Sequence, residues 1–179
     1  MKRILPIIII VLIVAGFGAA RKLMKKEPPL IVTNFEECAA SGNPVMESYP
    51  RQCRHDGKTF TENIGNELEK ADIIRIHSPH PNQIISSPLI ITGEARGYWF
   101  FEASFPLFLT DWNGLIIAQG IATAKSEWMT TEFVPFEASL TFTAGKNAYN
   151  NKGTLILRKD NPSGLPEHDD ALEIPVTLN

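Results

Sequence analysis

Five residues with oxygen-bearing side chains crowd one short stretch near the C-terminus: Asp160, Asn161, Glu167, Asp169 and Asp170. Oxygen ligands at close spacing are what Ca²⁺ requires. Their spacing is not that of an EF-hand loop, and Asx turns with solvated charges explain it without a metal. Because loops placed by a rigid scaffold often carry function, we predict that this stretch is a recognition loop that holds no metal.

The chain has two cysteines, Cys38 and Cys53. In an exported protein such a pair is most simply a disulfide, and closing a loop of this length would stabilise the fold by roughly 3 kcal/mol. The alternative is two free thiols in a cytosolic protein. A metal site would need more ligands than this pair and His55 provide, and the C-x-x-C spacing of redox enzymes is absent.

The sequence predicts no catalytic residues. Ser78 or Ser104 could be combined with His77, His80 or His168 on paper, but the chain has no Gly-x-Ser-x-Gly nucleophile elbow. Because such triads assemble in space, a hydrolase with an unrecognised site stays open as the alternative. No phosphate-binding glycine loop follows a predicted strand, so we expect no cofactor.

A group of aromatic residues could offer stacking platforms for a sugar or a peptide. They are Tyr98, Trp99, Phe100, Phe101, Phe105, Trp112 and Trp128. Core packing is the simpler interpretation, because each such side chain buries about 150–250 Å². Consecutive strand residues point to opposite faces, so at least one of Trp99 and Phe100 should leave the main core or lie under a loop.

Residues 4–20 form an uncharged apolar run with basic residues on both sides. As a helix, these 17 residues span about 25 Å, slightly less than a bilayer core of about 30 Å. A signal peptide is the competing interpretation, but the run exceeds the usual core length and basic residues follow it at once. We predict a transmembrane anchor over residues 1–26.

The orientation of this anchor rests on opposing signals. The basic residues after the run favour a cytoplasmic C-terminal part. Long domains, however, translocate largely regardless of charge, and the cysteine pair indicates an oxidising compartment. We therefore expect a single-pass cell-membrane protein with its C-terminal domain outside the cytoplasm.

Charge is distributed unevenly along the chain. All 20 acidic residues lie at or after Glu27, together with 11 of the 17 basic ones, so this part has a formal charge of −9. Such an acidic domain lacks the basic face that nucleic-acid binding needs. We expect the membrane as one partner, through the N-terminal helix, and a protein or cell-wall component as the other.

Turn-forming residues divide the rest of the chain. Residues 27–33 form a proline-containing stalk, residues 34–65 a small module with both cysteines, and residues 72–179 a β-rich domain. Its predicted strands are 73–77, 84–94, 99–110, 115–122, 133–142, 154–159 and 172–178. About seven short strands without an amphipathic helix predict an all-β fold, an immunoglobulin-like β-sandwich.

The β-rich domain also resembles a known family, the immunoglobulin-like domain of bacterial spore germination proteins. The resemblance rests on ordered blocks between residues 73 and 178, among them His77-Ser78-Pro79, Ser87-Pro88-Leu89, Thr92-Gly93-Glu94, Trp99-Phe100-Phe101, Trp128-Met129, Pro135-Phe136, Asp160-Asn161-Pro162-Ser163-Gly164 and Ile174-Pro175-Val176. It implies a β-sandwich on the outer side of a bacterial membrane that binds or assembles and does not catalyse. The family supplies no catalytic or ligand residues.

The two-cysteine segment resembles a small module of bacterial envelope proteins, through Cys38-Ala39-Ala40-Ser41-Gly42 and Tyr49-Pro50-Arg51-Gln52-Cys53. Its Cys-x-x-Asp-Gly-Lys-Thr-Phe stretch is also similar to part of Kazal-type protease inhibitors. Those domains need three disulfides to hold their inhibitory loop, and this segment can form one. The leading hypothesis is therefore a membrane-anchored envelope protein with a binding domain; the alternative is an envelope-facing hydrolase or protease inhibitor.

Overall fold

The structure is a computed structural model that describes residues 31–143 and 150–179. Within these residues no helix has the length and apolar character to cross a membrane. The predicted anchor, residues 1–26, lies outside the described part of the chain.

A disulfide organises the first described segment. Helix α1 is followed by a small antiparallel sheet in the order β1-β2-β3; the elements are α1 Phe35–Ala40, β1 Val45–Met46, β2 Gln52–His55 and β3 Lys58–Thr61. Asn34 caps α1, because its side chain accepts the N–H of Glu37 at 2.8 Å. The predicted Cys38–Cys53 disulfide is confirmed, and it joins α1 to β2 with both cysteines fully buried beside Phe35.

The second segment is the predicted immunoglobulin-like β-sandwich. Its strands run in the hydrogen-bonded order β4-β6-β9-β8-β7-β10-β11-β5. Their bounds are β4 Ile74–Ser78, β5 Ile84–Ile85, β6 Leu89–Arg96, β7 Ser104–Asp111, β8 Ile116–Ala124, β9 Phe133–Leu140, β10 Lys152–Arg158 and β11 Ala171–Leu178. A short helix, α2 Glu67–Lys70, lies in the polar connector before β4.

One predicted strand, residues 84–94, is in fact two. β5 pairs in parallel with β11 at its end, whereas β6 pairs antiparallel with β4 and β9. Residues 86–88 carry the chain from one layer to the other, and Pro88 has no N–H with which to continue a ladder. Among the described residues the sandwich therefore has eight strands where seven were predicted.

Strand β8 connects the two layers, β4-β6-β9 and β7-β10-β11-β5. It pairs with β7 from Ile116 to Thr123, but with β9 only at Thr123 and Ala124. Apolar residues from both layers form one core. Phe105 of β7 meets Phe136 of β9 edge-on, with ring centroids 5.0 Å apart, an arrangement that aromatic quadrupoles favour.

Polar side chains join the disulfide segment to the sandwich. Glu62 forms a two-point ion pair with Arg51, 2.6 Å at its closest, and accepts from the Asn82 amide at 3.3 Å. Farther on, the Asn66 side chain donates to Ala171 O at 2.9 Å and accepts from Glu173 N at 2.8 Å. The connector is thus hydrogen-bonded to the outer edge of β11.

Candidate functional site

The predicted recognition loop connects β10 to β11, from residue 159 to residue 170. It reverses direction at Gly164, whose φ of +66° suits glycine and whose N–H donates to Asn161 O at 3.2 Å. The Asn161 amide nitrogen donates to Leu165 O at 2.8 Å and to the Asp169 carboxylate at 2.9 Å. Internal hydrogen bonds therefore hold this loop in one shape.

Two predicted site residues have structural partners. Asp169 accepts from Asn161 and forms an ion pair with Arg158 at 2.9 Å, and these contacts hold its pKa below the usual value. Asp170 pairs with Lys70 of α2 at 2.5 Å and accepts the N–H of Ala171. Asn161, Asp169 and Asp170 thus shape the loop, because their polar atoms already have partners.

Asp160 and Glu167 are different. Within the described residues neither side chain has a hydrogen bond or an ion pair with another part of the chain. Asp160 is nevertheless fixed by its backbone, whose N–H donates to Trp99 O at 3.1 Å. This bond joins the recognition loop to the aromatic segment, a neighbourhood that sequence spacing did not reveal.

The aromatic segment forms a 3-10 turn, Gly97–Trp99, before β7. Trp99 and Phe100 are both buried in the main core. Neither leaves the core, because the turn does not alternate as a strand does, but Phe100 also borders the recognition loop, the second of the two expected placements. Their neighbours Tyr98 and Phe101 are 53% and 42% exposed.

A tight turn fixes Phe101. Its backbone exchanges two hydrogen bonds with Ser104, of 2.9 and 3.0 Å, across Glu102 and Ala103. These two residues have φ values of 48° and 60°, a left-handed conformation that costs a non-glycine residue roughly 1–2 kcal/mol. The surrounding fold thus holds an exposed aromatic ring on a strained support.

The recognition loop and the aromatic segment together border a depression of about 250 Å³. It is lined by Tyr98, Phe100, Phe101, Lys159, Asp160, Asn161, Pro162, Ser163 and His168. Two aromatic surfaces, a cation and an unpaired carboxylate can stack on a ligand and bind its polar groups. Sequence reasoning named Asp160 and Asn161 but missed Lys159 as a member.

The structure does not assemble the serine–histidine pairs considered from sequence. Ser104 donates to Phe101 O at 3.3 Å, and no described hydrogen bond joins Ser78 or Ser104 to a histidine. The contact that does occur is Ser163 Oγ to His168 Nδ1, 3.1 Å, in the recognition loop. Ser163 also lies 2.5 Å from the Asn161 amide oxygen, so its hydroxyl braces the loop.

The remaining candidates lie elsewhere. Trp128 packs against the core, and Trp112 is exposed in the turn between β7 and β8, away from the depression. Across residues 31–143 and 150–179, no group of three or more His, Cys, Asp or Glu side chains is arranged to hold a metal ion.

Comparison with known protein families gives a match over the sandwich. A family model described as Gmad2, the immunoglobulin-like domain of bacterial spore germination, matches residues 73–164. The match runs from the start of the sandwich through β10 to the glycine of the recognition loop. No curated protein and no solved structure matches the chain.

Proposed function

Because this chain belongs to the family of the immunoglobulin-like domain of bacterial spore germination, we propose that it is a binding module of the bacterial cell envelope. In this proposal residues 1–26 anchor it in the membrane, and the sandwich binds a protein or cell-wall component outside the cytoplasm. The apolar run at residues 4–20 and the Cys38–Cys53 disulfide support the location.

One observation carries the binding role: the depression between the 98–101 turn and the recognition loop. Its volume of about 250 Å³ is below the range of about 300–1,000 Å³ typical of pockets that enclose a small ligand. It fits one side chain or one sugar ring of a larger partner. Tyr98 and Phe101 supply apolar contact at low entropic cost, since each ring has two rotatable bonds.

Among residues 31–143 and 150–179, the serine–histidine contact that the alternative, a hydrolase, could use is Ser163–His168. A nucleophilic serine needs a base that a third group orients. Asp169, the adjacent carboxylate, is instead bonded to Asn161 and Arg158. The loop therefore favours binding over catalysis.

A site-directed crosslink tests this function. A photo-reactive phenylalanine analogue at Tyr98 of the full chain, irradiated on intact cells, should capture a defined envelope component. The same analogue at Trp112, an aromatic residue of nearly equal exposure (51%), is the matched control and should capture none.

A second substitution, in the chain that carries the photo-reactive residue at position 98, measures how much Phe101 contributes to binding. Phe101→Ala should reduce capture about tenfold, because an interface aromatic ring contributes more than about 1 kcal/mol. Trp112→Ala should leave capture unchanged. Equal capture from positions 98 and 112, or no effect of Phe101→Ala, would contradict this binding surface.

A further inference from the structure

Strand β8 has an open edge. Its first seven residues, 116–122, pair with β7 on one side, and no strand within residues 31–143 and 150–179 pairs with them on the other. Seven residues make an edge of about 24 Å. Where β8 and β9 diverge, they leave a depression of about 500 Å³ lined by Ile121, Thr123, Ala124, Lys125, Glu137, Ala138 and Ser139.

Strand β4 and the outer side of β11 are both protected. Arg75 on β4 pairs with Glu94 at 3.1 Å, and its guanidinium stacks over the Phe133 ring at 4.1 Å. The outer side of β11 is covered by Asn66 near its start and by β5 at its end. Charged residues and covering segments are the usual means by which proteins keep sheet edges from pairing.

β8 has no such protection. The chain carries no charged residue and no proline between Asp111 and Lys125. Two of its isoleucines, Ile116 and Ile121, are 54% and 64% exposed. A long, uncharged edge with exposed β-branched residues is suited to pairing with another strand.

We propose that β8 pairs antiparallel with β8 of a second copy of this chain, so that two sandwiches share one extended sheet. Two-fold symmetry is the commonest form of association and needs a self-complementary surface. The part of the chain after residue 26 has a charge of −9, so two copies repel each other over most of their surface. β8 is an uncharged exception.

The charges at the two ends of β8 also favour a second copy of this chain as the partner. Antiparallel pairing brings Lys125, just after β8, to the turn before β8 in the second copy. Asp111 is the charged residue nearest that turn, and its carboxylate holds the turn by accepting from Asn113 and Leu115. Symmetry gives this attraction twice, whereas parallel pairing would set like charges side by side.

Cysteine crosslinking of the full chain in its native membrane tests the proposal, which concerns a different surface from the one proposed for binding. Both natural cysteines are in the buried disulfide, so Gln119→Cys introduces the one free thiol. Under mild oxidation this variant should form a covalent dimer. The control is Ile90→Cys, an exposed position (52%) on β6, whose two edges are both occupied; it should remain monomeric.

A charge on the edge provides the second measurement. In the Gln119→Cys chain, Ile121→Lys should abolish the dimer, whereas Ile90→Lys should leave it intact. Absence of the dimer with Gln119→Cys, or an equal yield from Ile90→Cys, overturns the proposal. A crosslink from position 119 to a different protein also overturns it and identifies a heterologous strand as the occupant.

Discussion

Glu62 is the buried carboxylate at the junction between the disulfide segment and the sandwich. Its side chain is 7% exposed and accepts two bonds from the Arg51 guanidinium, itself about half exposed, and a longer one from the Arg51 N–H. These bonds hold the pKa of Glu62 below its usual value, against the opposing effect of burial. The protonation state of Glu62 therefore makes the hydrogen bonds of this junction depend on pH.

Glu62→Gln should lower the free energy of unfolding by about 2 kcal/mol at pH 7, because the ion pair is lost and the hydrogen bonds of a buried side chain are weakened. A carboxyl whose pKa is lowered by folding stabilises the folded protein fully at pH values above its unfolded pKa of about 4.3. This stabilisation is lost as the pH falls through the lower, folded-state pKa. The difference between wild type and variant should therefore be full above about pH 4.3 and shrink steadily as the pH falls below it. Urea unfolding from pH 3 to 7 measures it.

Glu132→Gln is the matched control for this prediction. Glu132 also faces an arginine, Arg96, but at 3.8 Å and with its side chain 80% exposed. Such surface pairs contribute about 0–1 kcal/mol, so the substitution should have little effect at any pH. A pH-independent loss in Glu62→Gln would show that packing, and not charge, is what the substitution removes.

At the scale of elements, sequence patterns located most strands. The prediction 172–178 corresponds to β11 Ala171–Leu178, and 133–142 contains β9 Phe133–Leu140. Alternation works there because each strand buries one face. It failed at residues 84–94 and at 99–103, the start of the predicted strand 99–110, where the choice of pairing partner and local turns decide the structure. Cross-element ion pairs such as Lys70–Asp170 were likewise unpredictable from spacing.

The connector before α2 approaches β11 more closely than a side chain allows. A Cβ at Gly65 would lie 1.8 Å from Glu173 O, and the residue has φ +70°. Gly65→Ala should therefore destabilise by about 3 kcal/mol, the sum of an unfavourable backbone conformation and a clash with backbone atoms. Urea denaturation is the measurement.

Gly164→Ala separates the two contributions. Gly164 has a similar φ of +66°, but a Cβ there would meet nothing within 4 Å. Gly164→Ala should lower the free energy of unfolding by about 1 kcal/mol, because only the backbone conformation is unfavourable there. Equal losses in the two variants would mean that the connector moves away from β11 without penalty.

For the whole molecule, the proposed arrangement is a sandwich outside the membrane with its anchor at residues 1–26. Protease added to intact spheroplasts should then digest the C-terminal domain, because the domain lies outside the bilayer. A cytoplasmic marker protein should remain protected and is the control. Full protection of the domain until detergent is added would reverse the proposed orientation.

The hydrogen bonds of Asn66 have a practical consequence for anyone expressing this protein in pieces. A fragment cut at the limits of the family match, 73–164, would lack β11, an inner strand of its layer. It would also lack Asn66, whose side-chain amide hydrogen-bonds to the outer side of β11. Apolar residues of β10 would then face solvent. The cooperative unit is larger than the stretch that homology detects, and a soluble fragment should begin before Glu62 and continue through Leu178.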